Sequence, residues 1–229
     1  MNKGRYVFRQ MCDFLPTDKI EWIIEKYNGD RYTKTFSCWQ HLLVMILAQL
    51  WQCRSLRVLV NVLNSQRGKL YQMGIGRGVC RSTLAWANEH RDYRIFEEIA
   101  NLMIKNARAV RSGHCQDKYL DDKVVYAFDS STISLCLSIF KWIKQHLYIK
   151  VFYGTSENAV RIQIYCAIIA YCLVAILERK MQLNMDIYSV LQILEKSAID
   201  KTPLRELFEN SKMSEEDTPD DSLQLTIQF

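Results

Sequence analysis

The chain has 229 residues, of which 49% are hydrophobic and 11% aromatic, and its formal net charge is +5. This composition excludes an intrinsically disordered chain and supplies enough apolar side chains for one large domain or two small ones. Only three prolines and eight glycines interrupt the chain, so we expect long helices and a mainly α fold.

Charge is distributed unevenly along the chain. Residues 1–115 carry a balance of +9, from eighteen Lys and Arg against nine Asp and Glu, whereas residues 116–229 carry −4. This asymmetry favours contact between the first half and a polyanion such as nucleic acid. A surface that is positive without any such partner is the alternative.

Eight cysteines are scattered along the chain, and no two of them form a Cys-x-x-Cys pair. The chain opens MNKGRYVFRQ, without an apolar leader, so we expect a cytoplasmic protein with free, mostly buried thiols and no zinc site. The uncharged stretch 164–177 is shorter than the roughly 20 residues that span a bilayer. It predicts a buried helix, and no membrane partner is expected.

The first predicted elements are three helices. Residues 17–28 place isoleucines at helical spacing before an Asn-Gly stop. Ser37 and Gln40 fit a capping box at the start of an apolar helix that runs to about Cys53. Ser55 can cap a third helix, whose apolar residues recur on one face.

A basic loop and a capped helix follow. Residues 66–80 are predicted as a loop, and its Gly-rich run 74–78 lacks the preceding strand of a nucleotide-binding loop. Ser82 can cap the next helix, and another amphipathic helix is predicted over residues 93–108. The short helix that begins at Ser55, the basic loop and the capped helix together suggest a helix-turn-helix variant with an unusually long turn. An ordinary helical bundle with a solvated basic loop is the alternative.

The predicted DNA contacts are five cations of this region. Their positions, in the loop and on the capped helix, suit contacts with phosphates, for which affinity falls steeply with salt. The five are Arg67, Lys69, Arg77, Arg81 and Arg91.

Polar residues 111–123 are predicted as a domain boundary. After them, residues 124–128 form a strand-like apolar run that ends at Asp129. A rigid strand can present a catalytic carboxylate there, although many such Asp residues only begin turns. A second strand-like stretch covers residues 133–139, and the sequence TSEN predicts the start of a helix over about 155–180.

Five stretches, in order along the chain, carry a family resemblance. They are RSLRVLVNVLN, STLAWANEHRDYRIFEE, FDSSTISLCLSIF (128–140), FKWIKQHLYIKVFYGTSENAV (140–160) and LQILEKSAIDKTPLRELF (191–208). They resemble the bacterial insertion-sequence family-four DDE transposases over almost the whole chain. The resemblance implies a mainly α fold with a small β component. It divides the chain into a helical DNA-binding domain at residues 1–112, the remnant of an RNase H-like α/β catalytic domain at 113–208, and an acidic, disordered tail at 209–229.

The resemblance also implies a catalytic site. In the family, three carboxylates hold two Mg²⁺ ions that cleave and transfer DNA strands. Asp129 matches the first acid and is the expected metal ligand, and Lys144 matches the lysine of the Y-x2-R-x3-E-x6-K signature. The other signature positions hold Ser130, Ile133 and Leu137. No Asp or Glu follows Asp129 before residue 157.

The family's first catalytic strand and last catalytic helix are thus joined at about residue 140, as an internal deletion would leave them. One carboxylate cannot clamp two metals, so we expect an inactive remnant that still binds double-stranded DNA at the element ends in the bacterial cytoplasm. A strand at 124–128 without sheet neighbours also favours self-association. The alternative is an interaction protein that associates with a full-length transposase and inhibits it. An unstable product and an enzyme completed in trans are further alternatives.

Overall fold

The computed structural model describes residues 4–112 and 152–216, and these residues form ten α-helices and no strand. The first seven helices are α1 (Val7–Cys12), α2 (Thr17–Lys26), α3 (Cys38–Leu50), α4 (Leu56–Ser65), α5 (Arg67–Leu70), α6 (Arg81–His90) and α7 (Tyr93–Ser112). The last three are α8 (Glu157–Met181), α9 (Ile187–Ser197) and α10 (Leu204–Glu216). The prediction of a mainly helical protein is confirmed for this part of the chain.

Three helices begin at their predicted caps. Ser37 and Gln40 form the capping box of α3. The main-chain amide of Gln40 donates to the Ser37 hydroxyl (3.1 Å), and the main-chain amide of Ser37 donates to the side-chain oxygen of Gln40 (2.9 Å). The hydroxyl of Ser55 accepts from the main chain three residues later at the start of α4, and that of Ser156 does the same for α8. These hydrogen bonds satisfy amides that the first helical turn leaves unpaired.

Two local predictions around the basic loop are wrong. The short helix α5 occupies part of the predicted loop 66–80. Cys80 is the N-cap of α6, so Ser82 lies inside the first turn instead of before it. The Ser82 hydroxyl lies 3.2 Å from the Cys80 thiol, and the N-cap of α6 has no side-chain hydrogen bond to the helix backbone.

The long helix α8 lies at the centre of the core, along α7 and against α3. Within the described residues it is long and apolar enough to cross a membrane, with a mean hydropathy of 2.1 over an 18-residue window. However, 67% of that window is buried by the rest of the chain. The burial agrees with the prediction of a buried helix.

The two described segments share one core. The amides of Val7 and Phe8 donate to the main-chain oxygens of Asp200 (2.9 Å) and Ala198 (3.0 Å), which ties α1 to the end of α9. A single hydrophobic cluster runs from the N-terminal helices through α8 to α10. The helices on either side of the predicted domain boundary are therefore packed together.

Several predicted elements lie outside the described residues. The polar boundary at 113 and the two strand-like stretches, 124–128 and 133–139, are among them, so the domain division and the RNase H-like remnant stay predictions. The predicted tail, 209–229, is described only in part. Helix α10 extends into the predicted tail as far as Glu216, so the first residues of that tail are helical.

Candidate nucleic-acid interface

Four of the five predicted DNA-contacting cations lie on α5, on the loop after it and at the first position of α6. Arg67, Arg77 and Arg81 are exposed, and Lys69 is half-buried. None of the four takes part in an ion pair within the part of the chain that the structure describes. The three arginine side chains therefore face solvent, and we call these four residues the basic edge.

The fold brings the basic edge together by folding the loop back onto α5. A Cβ atom placed on Gly78 would lie 3.5 Å from Nε of Arg67 and 3.4 Å from the side-chain oxygen of Asn64. Arg77 is the neighbour of Gly78 in the chain, and Arg81 follows three residues later. The guanidinium of Arg67 consequently lies beside the segment that carries the other two arginines.

The glycines of the loop allow it to approach α3 closely. Gly74 and Gly76 have φ values of +84° and +78°, a region that L-residues with side chains rarely adopt. A Cβ atom on Gly76 would lie 2.5 Å from Nε2 of Gln40, the residue that completes the capping box of α3. The loop therefore rests on the start of the core helix.

The fifth predicted contact, Arg91, is buried and has an internal role. Its guanidinium donates to the main-chain oxygen of Ser37 (2.8 Å) and to that of Phe36, and it stands 5.2 Å from the centre of the Phe36 ring. Burial lowers the pKa of Arg91. Only 7% of the residue is exposed. The guanidinium of Arg91 binds the turn before α3, so it is not available for a contact with DNA.

Polar side chains hold the inner face of α6. Nε2 of His41 on α3 lies 2.8 Å from Oδ1 of Asn88 on α6, and both residues are buried. Burial, and then the charge of Arg91, lowers the pKa of His41 to about 3, so the ring is neutral. From the start of α8, the side-chain amide of Asn158 donates to the main-chain oxygens of Asn88 (2.9 Å) and Arg91 (2.7 Å).

The outer face of α6 carries an exposed aromatic pair. Trp86, 58% exposed, stacks on His90 with ring centres 4.7 Å apart and planes 8° from parallel. Nδ1 of His90 also lies 3.0 Å from the main-chain oxygen of Trp86. Sequence reasoning selected neither residue, although aromatic rings four apart on a helix are neighbours and this spacing was visible in the sequence.

Cys80, at the N-cap of α6, is the exposed cysteine among those described. Its sulfur lies 3.2 Å from the Ser82 hydroxyl and 3.0 Å from the Thr83 hydroxyl. Hydrogen bonds from these two hydroxyls, and then from the Thr83 amide, lower the pKa of Cys80 to about 7. A substantial fraction of this thiol is therefore thiolate at neutral pH.

The predicted catalytic residues, Asp129 and Lys144, lie outside the described residues. The structure thus neither assembles nor separates them, and the Mg²⁺ site stays a prediction. Across residues 4–112 and 152–216, no group of three or more His, Cys, Asp or Glu side chains could hold a metal ion.

Comparison with known proteins adds a family context. Residues 3–76 match the family model described as "Domain of unknown function (DUF4372)". A 49-residue segment is 49% identical to the "Putative transposase y4zB" of Sinorhizobium fredii (strain NBRC 101917 / NGR234). The segment is thus similar to part of a protein that is named as a transposase. The second match spans 21% of this chain and 14% of that relative, and no solved structure matches the chain.

Proposed function

We propose that this transposase-related chain binds double-stranded DNA through the basic edge. The observation that carries the proposal is the position of Arg67 beside Gly78, in the segment that carries Arg77 and Arg81. None of these three arginines has an ion-pair partner among the described residues. Three exposed arginines and the half-buried Lys69 thus lie on α5, on the loop after it and at the first position of α6. Such a cluster suits a row of phosphates, because each cation that neutralises a phosphate releases a condensed counterion.

The basic edge predicts a defined salt dependence. Four neutralised phosphates correspond to a slope of about −3.6 in log K against log salt concentration. Replacing Arg67, Arg77 and Arg81 together by alanine reduces that slope to about −0.9. Hydrogen bonds of Asn88 and Asn158 at the inner face of α6 hold this helix in place.

We further propose that the chain does not cleave DNA. This part of the proposal rests on the resemblance to DDE transposases, in which Asp129 would be the first of three metal-binding acids. No acid follows it before residue 157, so one carboxylate would have to hold both Mg²⁺ ions. Two metals are needed to stabilise the attacking and the leaving oxygen in an in-line transfer.

The test is fluorescence anisotropy on duplexes from both flanks of the gene, with shuffled controls, at two salt concentrations and with Mg²⁺, followed by a denaturing gel. The Arg67, Arg77 and Arg81 triple alanine variant is compared with a matched control in which Arg31, Arg179 and Arg205 become alanine. These three are exposed arginines outside the basic edge, and the control loses the same net charge.

We expect salt-sensitive binding that the first variant loses and the control retains, with uncut strands on the gel. Equal losses in the two variants would show that the basic edge is not the binding surface. Cleaved strands that depend on Asp129 would contradict the inactive site. A protein that fails to bind DNA but co-purifies with an intact transposase would favour the alternative, an inhibitory interaction protein.

A further inference from the structure

Helix α6 has two faces of different character. Its inner face buries Leu84, Ala87 and Asn88. Its outer face presents Ser82, Trp86, Glu89 and His90, all exposed, and we call these four residues the reading face. An indole that is 58% exposed leaves a large apolar surface in water, and burying such a surface against a partner is favourable.

The aromatic pair of the reading face is held in one arrangement before any partner arrives. The Trp86 and His90 rings lie nearly parallel, and the contact between His90 Nδ1 and the Trp86 main-chain oxygen (3.0 Å) limits rotation of the imidazole. A preset side chain loses little conformational entropy when it binds. The reading face therefore suits a contact of defined geometry.

The dimensions and the surroundings of α6 fit duplex DNA. Ten residues give a helix about 15 Å long, and the major groove of B-DNA, about 12 Å wide, admits an α-helix. Arg81 begins the helix, and Arg67 lies beside Gly78, three residues before it in the chain. Cations in these positions contact phosphates on the groove wall while the helix lies in the groove.

We propose that the reading face of α6 contacts base edges in the major groove of duplex DNA, where the indole of Trp86 packs on the 5-methyl group of a thymine. The inference rests on the proposed function, since it assumes that the basic edge contacts the phosphates. The thymine methyl is the apolar group that a base pair presents in this groove. Glu89 fits the same placement, because a carboxylate facing bases accepts from the cytosine N4 amino group.

The cations of the adjoining basic edge favour DNA as the partner of this face. Of the four residues in the reading face only Glu89 is acidic, while the adjoining basic edge carries four cations without ion pairs in the described segments. The same exposed tryptophan on a neutral helix would suit a protein partner equally well. The position of Trp86 beside the basic edge favours duplex DNA, which is a polyanion and also presents apolar groups in its major groove.

The experiment selects binding sites from a pool of 30-base-pair duplexes with a randomised centre, using the full-length protein, Trp86→Ala and the matched control Trp22→Ala. Trp22 is also 58% exposed but lies on α2. The best site selected by the wild type is then remade with each thymine replaced in turn by uracil, which removes the 5-methyl group. Thermal unfolding of both variants checks that they fold like the wild type.

We expect at least one thymine whose replacement weakens wild-type and Trp22→Ala binding about fivefold or more. Trp86→Ala should be indifferent to that replacement and should select a less defined motif. Trp86→Ala with the same motif and uracil response as Trp22→Ala would overturn the inference, as would a wild type that binds duplex but selects no motif. Neither of these two results would contradict the proposal that the chain binds DNA. A wild type that binds no duplex at low salt would contradict that proposal as well.

A second measurement keeps the inference testable if Trp86→Ala unfolds. Trp86→Phe retains an aromatic ring of smaller area at the same position. We expect it to select the wild-type motif with a weaker uracil effect at the same thymine. Selection of an unrelated motif by Trp86→Phe, with wild-type thermal stability, would overturn the thymine contact.

Discussion

The side-chain amide of Asn158 donates hydrogen bonds to the main-chain oxygens of Asn88, at 2.9 Å, and Arg91, at 2.7 Å. Asn158 lies in the first turn of α8, and the two carbonyls lie in and just after the last turn of α6. Helix ends leave carbonyls unpaired, and here a residue 70 positions away along the chain pairs with one of them. The placement of the proposed DNA-reading helix thus depends on the second described segment.

Removal of this amide should weaken the fold. Asn158→Ala leaves two half-buried carbonyls without their donor, which we expect to lower the free energy of unfolding by about 2 kcal/mol. Urea denaturation followed by circular dichroism measures the change. The control Asn210→Ala, an exposed asparagine on α10, should change it by less than about 0.5 kcal/mol. Equal effects of the two substitutions would remove Asn158 from this role.

His41 should make the fold sensitive to mild acid. Its pKa is lowered to about 3 by burial, whereas the unfolded chain takes up the proton near pH 6.5, so its contribution is present above pH 6.5 and is lost as the pH falls towards 3. The resulting loss is about 2 kcal/mol at pH 5. Unfolding by urea at pH 7 and pH 5 should show this extra loss in the wild type and not in His41→Gln. A parallel decline in both proteins would contradict it.

Cys80 should react with iodoacetamide in a pH range that the other described cysteines do not share. Its pKa of about 7 makes alkylation at pH 6 about tenfold slower than at pH 8, since the thiolate is the nucleophile. Cys12 and Cys166 are buried, and burial raises the pKa of each thiol, so both should stay unmodified in the native protein. Peptide mass spectrometry resolves the sites. Ser82→Ala with Thr83→Val should slow the Cys80 reaction at pH 7, and an unchanged rate would exclude the hydroxyls as its cause.

Substitutions at Arg91 should lower the stability of the fold, whereas substitutions at Arg81 should leave it unchanged. Arg91→Lys loses part of the buried pairing with the Phe36 and Ser37 carbonyls, which we expect to cost about 2 kcal/mol of unfolding free energy. Arg81→Lys, at an exposed position, should leave stability within about 0.5 kcal/mol of the wild type. Thermal and urea unfolding of the two variants provide the comparison. A stable Arg91→Lys protein with weakened DNA binding would restore Arg91 as a contact residue.

Alanine substitutions at Gly76 and Gly68 test whether the loop requires glycine at its close approach to α3. Gly76→Ala introduces a Cβ at a φ of +78° and 2.5 Å from the Gln40 side chain, so we expect a loss of about 1–2 kcal/mol. Gly68 lies in α5, and a Cβ there meets no atom within 4 Å. Gly68→Ala should therefore be neutral or slightly stabilising. The same unfolding assay distinguishes them, and a neutral Gly76→Ala would mean that the loop does not need its close approach to α3.

Interactions within a few residues were readable from the sequence. The capping box of Ser37 and Gln40 and the cap at Ser55 each join groups three residues apart, and the apolar stripe of α4 repeats with the helical period. In such cases the backbone geometry of one turn determines the partner. The start of α6 is the exception, because Cys80 is its N-cap and Ser82 lies inside the first turn.

The sequence by itself determined the mainly helical character, the concentration of positive charge in the first half and the candidate cations around the basic loop. Only the tertiary structure decided which of those cations reach solvent: Arg67, Arg77 and Arg81 do, while Arg91 pairs with carbonyls 54 and 55 residues earlier in the chain. The same is true of Asn158 and His41, which hold α6 from two other helices. The reason is that burial and long-range hydrogen bonds depend on which helix faces meet, and helical periodicity shows that a face is apolar without showing what covers it.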